Sequence, residues 1–94
     1  MKNYNHPGGK LRRMGSHTCS DRELLAIIIN TGTKNYTALQ IAEMILDKFG
    51  SLTNIMGNQL GELTEIEGIG ITKATQIAAL FELTKRIIRN LENE

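Results

Sequence analysis

Leu63-Thr64-Glu65-Ile66-Glu67-Gly68-Ile69-Gly70-Ile71-Thr72-Lys73-Ala74 decides how this 94-residue chain folds. Gly68 and Gly70 permit a turn that residues with a Cβ make less easily. Between them, Ile69 has the side chain to plug that turn into a core. A helix follows at once, because Ala74, Ile77, Ala78, Phe81, Thr84, Ile88 and Leu91 recur at steps of three and four. The amides of Gly70, Ile71 and Thr72 then sit at a helix N-terminus, where the helix dipole favours an anion, and Lys73 adds a charge. Two readings of the turn stay open. In one, Gly68, Gly70, Ile71, Thr72 and Lys73 contact a DNA phosphate, which fixes position without reading sequence. In the other, the turn only joins two helices or meets a protein, and Glu65 and Glu67 favour this, since acids beside a phosphate site subtract from its attraction.

Upstream the same grammar recurs. Ala38, Ile41, Ala42, Ile45, Leu46 and Phe49 form one helical face, and neither segment alternates with the period of a strand. Ser20 with Glu23, and Thr37 with Gln40, have the spacing of capping boxes, so helices are expected from about Asp21 and Ala38. Cys19 and Tyr36 are placed to staple onto Leu24 and Ile41. Gly32 and Gly50 stand where the chain would leave these helices through the left-handed conformation. Short helices are expected near Leu52 to Met56 and Gln59 to Thr64, the latter with Asn58 as cap and weakened by Gly61. The longest runs from about Thr72 to Asn90. Shifting the chain by 36 residues lays Gly32 on Gly68, Ala38 on Ala74, Gln40 on Gln76, Ile41 on Ile77, Ala42 on Ala78, Leu24 on Leu60 and Ile27 on Leu63. The expected fold is all-α: five helices in two pseudo-repeated helix-turn-helix units, the first degenerate, joined by a short connector helix. In the first unit Lys34 replaces the second glycine, which makes it one more candidate phosphate contact.

A 10.5 kDa chain supports one core. Its hydrophobic share of 40%, with nine glycines besides, is that of a globular domain. Leu24 to Ile29 is the longest apolar run, too short to span a membrane, and Met1 to Lys10 does not resemble a signal peptide, so a cytoplasmic protein is expected. One cysteine and two histidines, His6 and His17, cannot complete the usual zinc site. Neither a metal nor a cofactor is expected. The net charge of +1 is unevenly spread: Lys2, Lys10, Arg12 and Arg13 lie in residues 1–20 with no acid, while residues 21–67 are acidic. Residues 1–19 therefore read as a basic arm, 20–91 as the helical domain and 92–94 as a tail or the start of a linker. Lys10, Arg12 and Arg13 join the candidate contacts to DNA, and such binding would be weak, sequence-independent and sensitive to salt.

The turn at Gly68 resembles the helix-hairpin-helix motif, with its apolar-x-Gly-apolar-Gly hairpin, a basic residue three positions on and a small residue at the helix contact. Taken with Pro7-Gly8-Gly9-Lys10-Leu11, Cys19-Ser20-Asp21, Glu23-Leu24-Leu25-Ala26-Ile27, Thr31-Gly32-Thr33-Lys34 and Phe49-Gly50-Ser51-Leu52, it makes the chain from Pro7 to Arg89 resemble the N-terminal domain of the RadC family, bacterial proteins labelled as DNA repair proteins. The chain departs from that family at Gly8-Gly9, Cys19, Glu67, where lysine is frequent, and Ile71, where proline is common. The resemblance implies a helical domain that precedes a JAMM metallopeptidase-like domain; duplex DNA as partner is read from the hairpin itself, and no membrane partner is expected. The His-x-His pair of that second domain does not occur here, so this chain by itself is expected not to be an enzyme. It also leaves open a protein-interaction or regulatory domain that positions the catalytic one.

Overall fold

Capping boxes start two of the principal helices. In the computed structural model, which describes residues 6–57 and 60–94, Ser20 Oγ accepts from the Glu23 amide at 3.1 Å and Glu23 Oε1 accepts from the Ser20 amide at 2.9 Å. Thr37 and Gln40 reciprocate in the same way, at 3.1 and 2.8 Å. Each box satisfies two backbone donors that a helix leaves unpaired. The described residues form six α-helices: α1 (Pro7–Met14), α2 (Asp21–Ile29), α3 (Ala38–Phe49), α4 (Leu52–Met56), α5 (Leu60–Thr64) and α6 (Ile71–Glu92), with a 3-10 turn at Ser16–Thr18. No strand occurs among them, and the fold is all-α. The Asn58 cap expected for α5 lies outside the described residues.

The extra helix, α1, occupies part of the expected basic arm. Two consecutive glycines each cost about 1 kcal/mol relative to alanine in a helix, which is why no helix is expected in the arm. Pro7 opens the helix at a position where its missing N–H is harmless. Tertiary contact supplies the rest: Lys10 Nζ bonds the Glu23 carboxylate at 3.0 Å and ties α1 to α2. The Ser20 amide, and after it Lys10, hold the Glu23 carboxyl below its ordinary value. Its contribution to stability is thus present at neutral pH and lost as pH falls through that lowered value.

One core joins the helices. Ile29 of α2, Ile41 and Ile45 of α3 and Ile77 of α6 are essentially inaccessible, and burying each stabilises the fold by roughly 1.5–3 kcal/mol. Ile69, between the turn glycines, is 3% exposed, as expected of a plug, and its amide donates to Ile66 O at 3.0 Å. The apolar face of α6 outruns this core. Ala78 faces solvent, and Leu83, Ile87, Ile88 and Leu91 are all exposed. Ile88 also lines an apolar groove of about 590 Å³ with Leu24, Ile28, Leu52, Met56 and Phe81.

Glycine acts at two turns for different reasons. Gly50 ends α3 in the left-handed conformation, as expected (φ 89°). After α2, however, the left-handed residue is Asn30 and not Gly32 (φ 71°, ψ −64°). Thr31 N donates to Ile29 O at 2.9 Å across it, making a γ-turn of the rare, strained hand, a conformation that costs on the order of 1–3 kcal/mol. Gly32 is needed instead for close approach, since a Cβ there would stand 2.2 Å from Tyr36 O.

Gly68 combines both demands: its φ is +93°, and a Cβ would lie 2.6 Å from Ile41 Cδ1 and 2.9 Å from Thr33 Cγ2. Gly61, inside α5, has nothing within 4 Å of that position. The same substitution should therefore have opposite effects. Gly68→Ala is expected to destabilise by about 2 kcal/mol or more, whereas Gly61→Ala should stabilise by about 0.5–1 kcal/mol. Urea melts of the two variants check the pair.

Candidate nucleic-acid interface

The N-terminus of α6 differs from the other starts described. Side chains cap α2, α3 and α4, the last through Ser51 Oγ accepting from the Asn54 amide at 3.2 Å. The residue before α6 is Gly70, extended (φ −82°, ψ −178°) and without a side chain to cap anything. Ala74 is the first residue of α6 whose amide bonds back along the helix, to Gly70 O at 3.0 Å. The amides of Ile71, Thr72 and Lys73 precede it, at the positive end of a 22-residue dipole. Nothing lies within 4 Å of where a Gly70 Cβ would be, and Ile71 is 62% exposed. The helix start is thus open to an approaching group.

The predicted contacts divide in two. Gly70, Ile71 and Thr72 are exposed together at this start. Gly68 lies behind them, pressed between Ile41 and Thr33. Lys73 reaches the turn after α2: its Nζ donates to Thr31 O at 2.6 Å and reaches Thr31 Oγ1 at 3.2 Å. Since an ammonium has three protons, these bonds leave one for another acceptor. Lys34 is exposed on the neighbouring turn and has no ion-pair partner among the described residues. Lys10 is committed to Glu23, while Arg12 and Arg13 are exposed on α1.

Both suspect acids have partners. Lys48 Nζ bonds Glu65 Oε1 at 2.5 Å, and Asn35 Nδ2 donates to Glu67 Oε2 at 2.9 Å. The first pair offsets a negative charge; the second only orients one, so Glu67 keeps its repulsion. Sequence reasoning missed this stitching of the two turns by Thr31, Thr33 and Asn35. One signal was available, since Thr33 two residues before Asn35 has the spacing of a hydroxyl-capped turn. Thr33 Oγ1 indeed accepts from the Asn35 and Tyr36 amides at 3.1 and 3.0 Å.

Among the described residues no three His, Cys, Asp or Glu side chains gather as a metal site would require, and no helix is long and apolar enough to cross a membrane. The bridge from Lys73 sets a stability difference: Lys73→Ala should lower stability by about 1 kcal/mol, and Lys34→Ala should leave it within about 0.5 kcal/mol. Thermal and chemical unfolding of both variants measure this directly.

The family described as UPF0758 N-terminal matches residues 1–75. A UPF0758 protein of Clostridium botulinum (strain Hall) is 45% identical over 80 residues, which are 85% of this chain and 35% of that relative. One from Lactococcus lactis subsp. cremoris is 46% identical over 81 residues, 86% of this chain and 36% of its own. The chain therefore spans about a third of the length of these curated relatives. No solved structure matches it. With most of its length matched and nearly half of the aligned residues identical, the chain belongs to the UPF0758 N-terminal family.

Proposed function

We propose that this chain is a DNA-binding module of the helix-hairpin-helix kind, the N-terminal part of a RadC-like protein, and that it holds the duplex by its phosphates without reading base sequence. The observation that carries this reading is the uncapped, solvent-open start of α6 after the Gly68-Ile69-Gly70 turn. A phosphate there would accept from the amides of Ile71 and Thr72 and complete the helix end that no side chain completes. Lys34 adds long-range attraction from the adjoining turn, and Lys73 its remaining proton. With so few cations and Glu67 opposing them, binding is weak, and it falls with salt on a shallow slope set by those few contacts.

A second reading has its own observation. Leu83, Ile87, Ile88 and Leu91 are exposed on α6, and Ile88 also lines the groove beside Phe81. Such a surface suits an interaction domain that positions further protein, such as a JAMM metallopeptidase-like domain in the longer relatives. In either reading this chain supplies contact and no catalysis.

Binding of wild type, Lys34→Ala, Lys73→Ala and Glu67→Lys to two unrelated duplexes over a salt series separates the readings. Each lysine removal should weaken binding equally on both sequences, with Lys34→Ala reducing the salt slope by about one unit. Glu67→Lys should strengthen binding, a gain that folding damage cannot produce. If all four proteins bind alike, or none binds at low salt, the DNA reading fails and the interaction reading replaces it.

A further inference from the structure

A second cleft, of about 600 Å³, opens between α1 and the turn after α2 and shares only Ile27 with the apolar groove. Its polar lining comes from His6, Arg12, Asn30, Thr33 and Thr37, with no aspartate or glutamate, and its floor is Ala26, Ile27, Ala38 and Leu39 beside Tyr36. The polar groups offer protons. Arg12 is exposed and pairs with no acid among the described residues, leaving a guanidinium with five donors. His6 Nδ1 accepts from the Gly9 amide in a long bond of 3.4 Å, which leaves a proton on Nε2. Thr33 Oγ1 already accepts two amides, so its own hydroxyl proton is left to donate.

The geometry concentrates these donors. His6 and Arg12 both come within 4 Å of the place a Gly8 Cβ would occupy, so the missing side chain keeps their junction open. Asn30, held in its strained γ-turn, lines the same cleft. Strain of this kind persists where surrounding structure enforces it, and it concentrates at binding sites. A rim without carboxylates that carries a guanidinium, over an apolar floor with one aromatic ring, fits an anion attached to a flat, weakly polar body. The volume is that of a small-ligand site.

We infer that this cleft binds a nucleotide, its phosphate held by Arg12 and His6 and its base laid on the apolar floor against Tyr36. Tyr36 is half-buried and packs on the core, so it presents a fixed ring rather than a mobile one. The ligand is a nucleoside monophosphate in chemistry, whether free or at the phosphorylated end of a strand. This site adjoins the α6 start through the turn at Thr33, but its anion would be held from α1 by Arg12 and His6 and the other by the first amides of α6, so Arg12→Ala and the Ile71 and Thr72 amides tell the two apart.

Titration of the full chain, followed by amide shifts, tests it with adenosine monophosphate, adenosine, inorganic phosphate, and a hexanucleotide with and without a 5′-phosphate. Adenosine monophosphate should bind more tightly than adenosine or phosphate and move the amides of Thr33, Asn35 and Tyr36, leaving those of Ile71 and Thr72 in place. Arg12→Ala, on an exposed side chain, should weaken it about tenfold or more. The 5′-phosphorylated hexanucleotide binding above the mononucleotide assigns the site to strand ends, and the reverse order assigns it to free nucleotide. Equal affinity for phosphate and adenosine monophosphate, an unchanged Arg12→Ala, or cleft amides that stay still would overturn the inference.

Discussion

No side chain fits at residue 68. The backbone there passes so close to Ile41 and Thr33 that a methyl group would collide with both, and its positive φ excludes most other residues anyway. This contact places the turn before α6 directly against the turn before α3. With the turns seated, Ile69 enters the core, Lys73 reaches Thr31 and Asn35 reaches Glu67. The same seating leaves Gly70 and the first turn of α6 facing outward. Core packing and the candidate site thus depend on one close approach, and neither can be altered there without the other.

The bonds that join the turns also distribute charge. Glu65 is answered by Lys48 from α3, while Glu67 is held by a neutral amide and stays negative beside the α6 start. Lys73 gives two of its protons to Thr31, which makes it partly a structural residue. Attraction for an anion then rests chiefly on the backbone amides and dipole of α6, with Lys34 nearby. Only proline among point substitutions removes a backbone donor, so a site of this kind tolerates much other change in surrounding sequence.

Helix starts were legible because they are written locally. Ser20-x-x-Glu23 and Thr37-x-x-Gln40 satisfy their own amides within four residues, and α4 runs over the expected Leu52 to Met56. The turn plug at Ile69 was equally legible, since two glycines around one apolar residue leave it few other uses. Features that need a distant partner were not. Helix α1 contains Gly8-Gly9 and is anchored through a lysine thirteen residues from its glutamate. The strained Asn30 carries no mark that separates it from an ordinary cap, and the Lys73 bond to Thr31 spans 42 residues. The apolar positions of α6 continue to Leu91 as their period requires, but periodicity cannot say whether anything covers them.

The most direct test of the α6 start is an amide-resolved titration of the isotopically labelled chain with a short duplex at low salt, repeated at high salt. The account predicts that the amides of Gly70, Ile71 and Thr72 move first and return when salt is raised, while the capped amides of Glu23 and Gln40 stay fixed. Shifts that begin along Leu83 to Leu91, or an α6 start that does not respond at any duplex concentration, would contradict it.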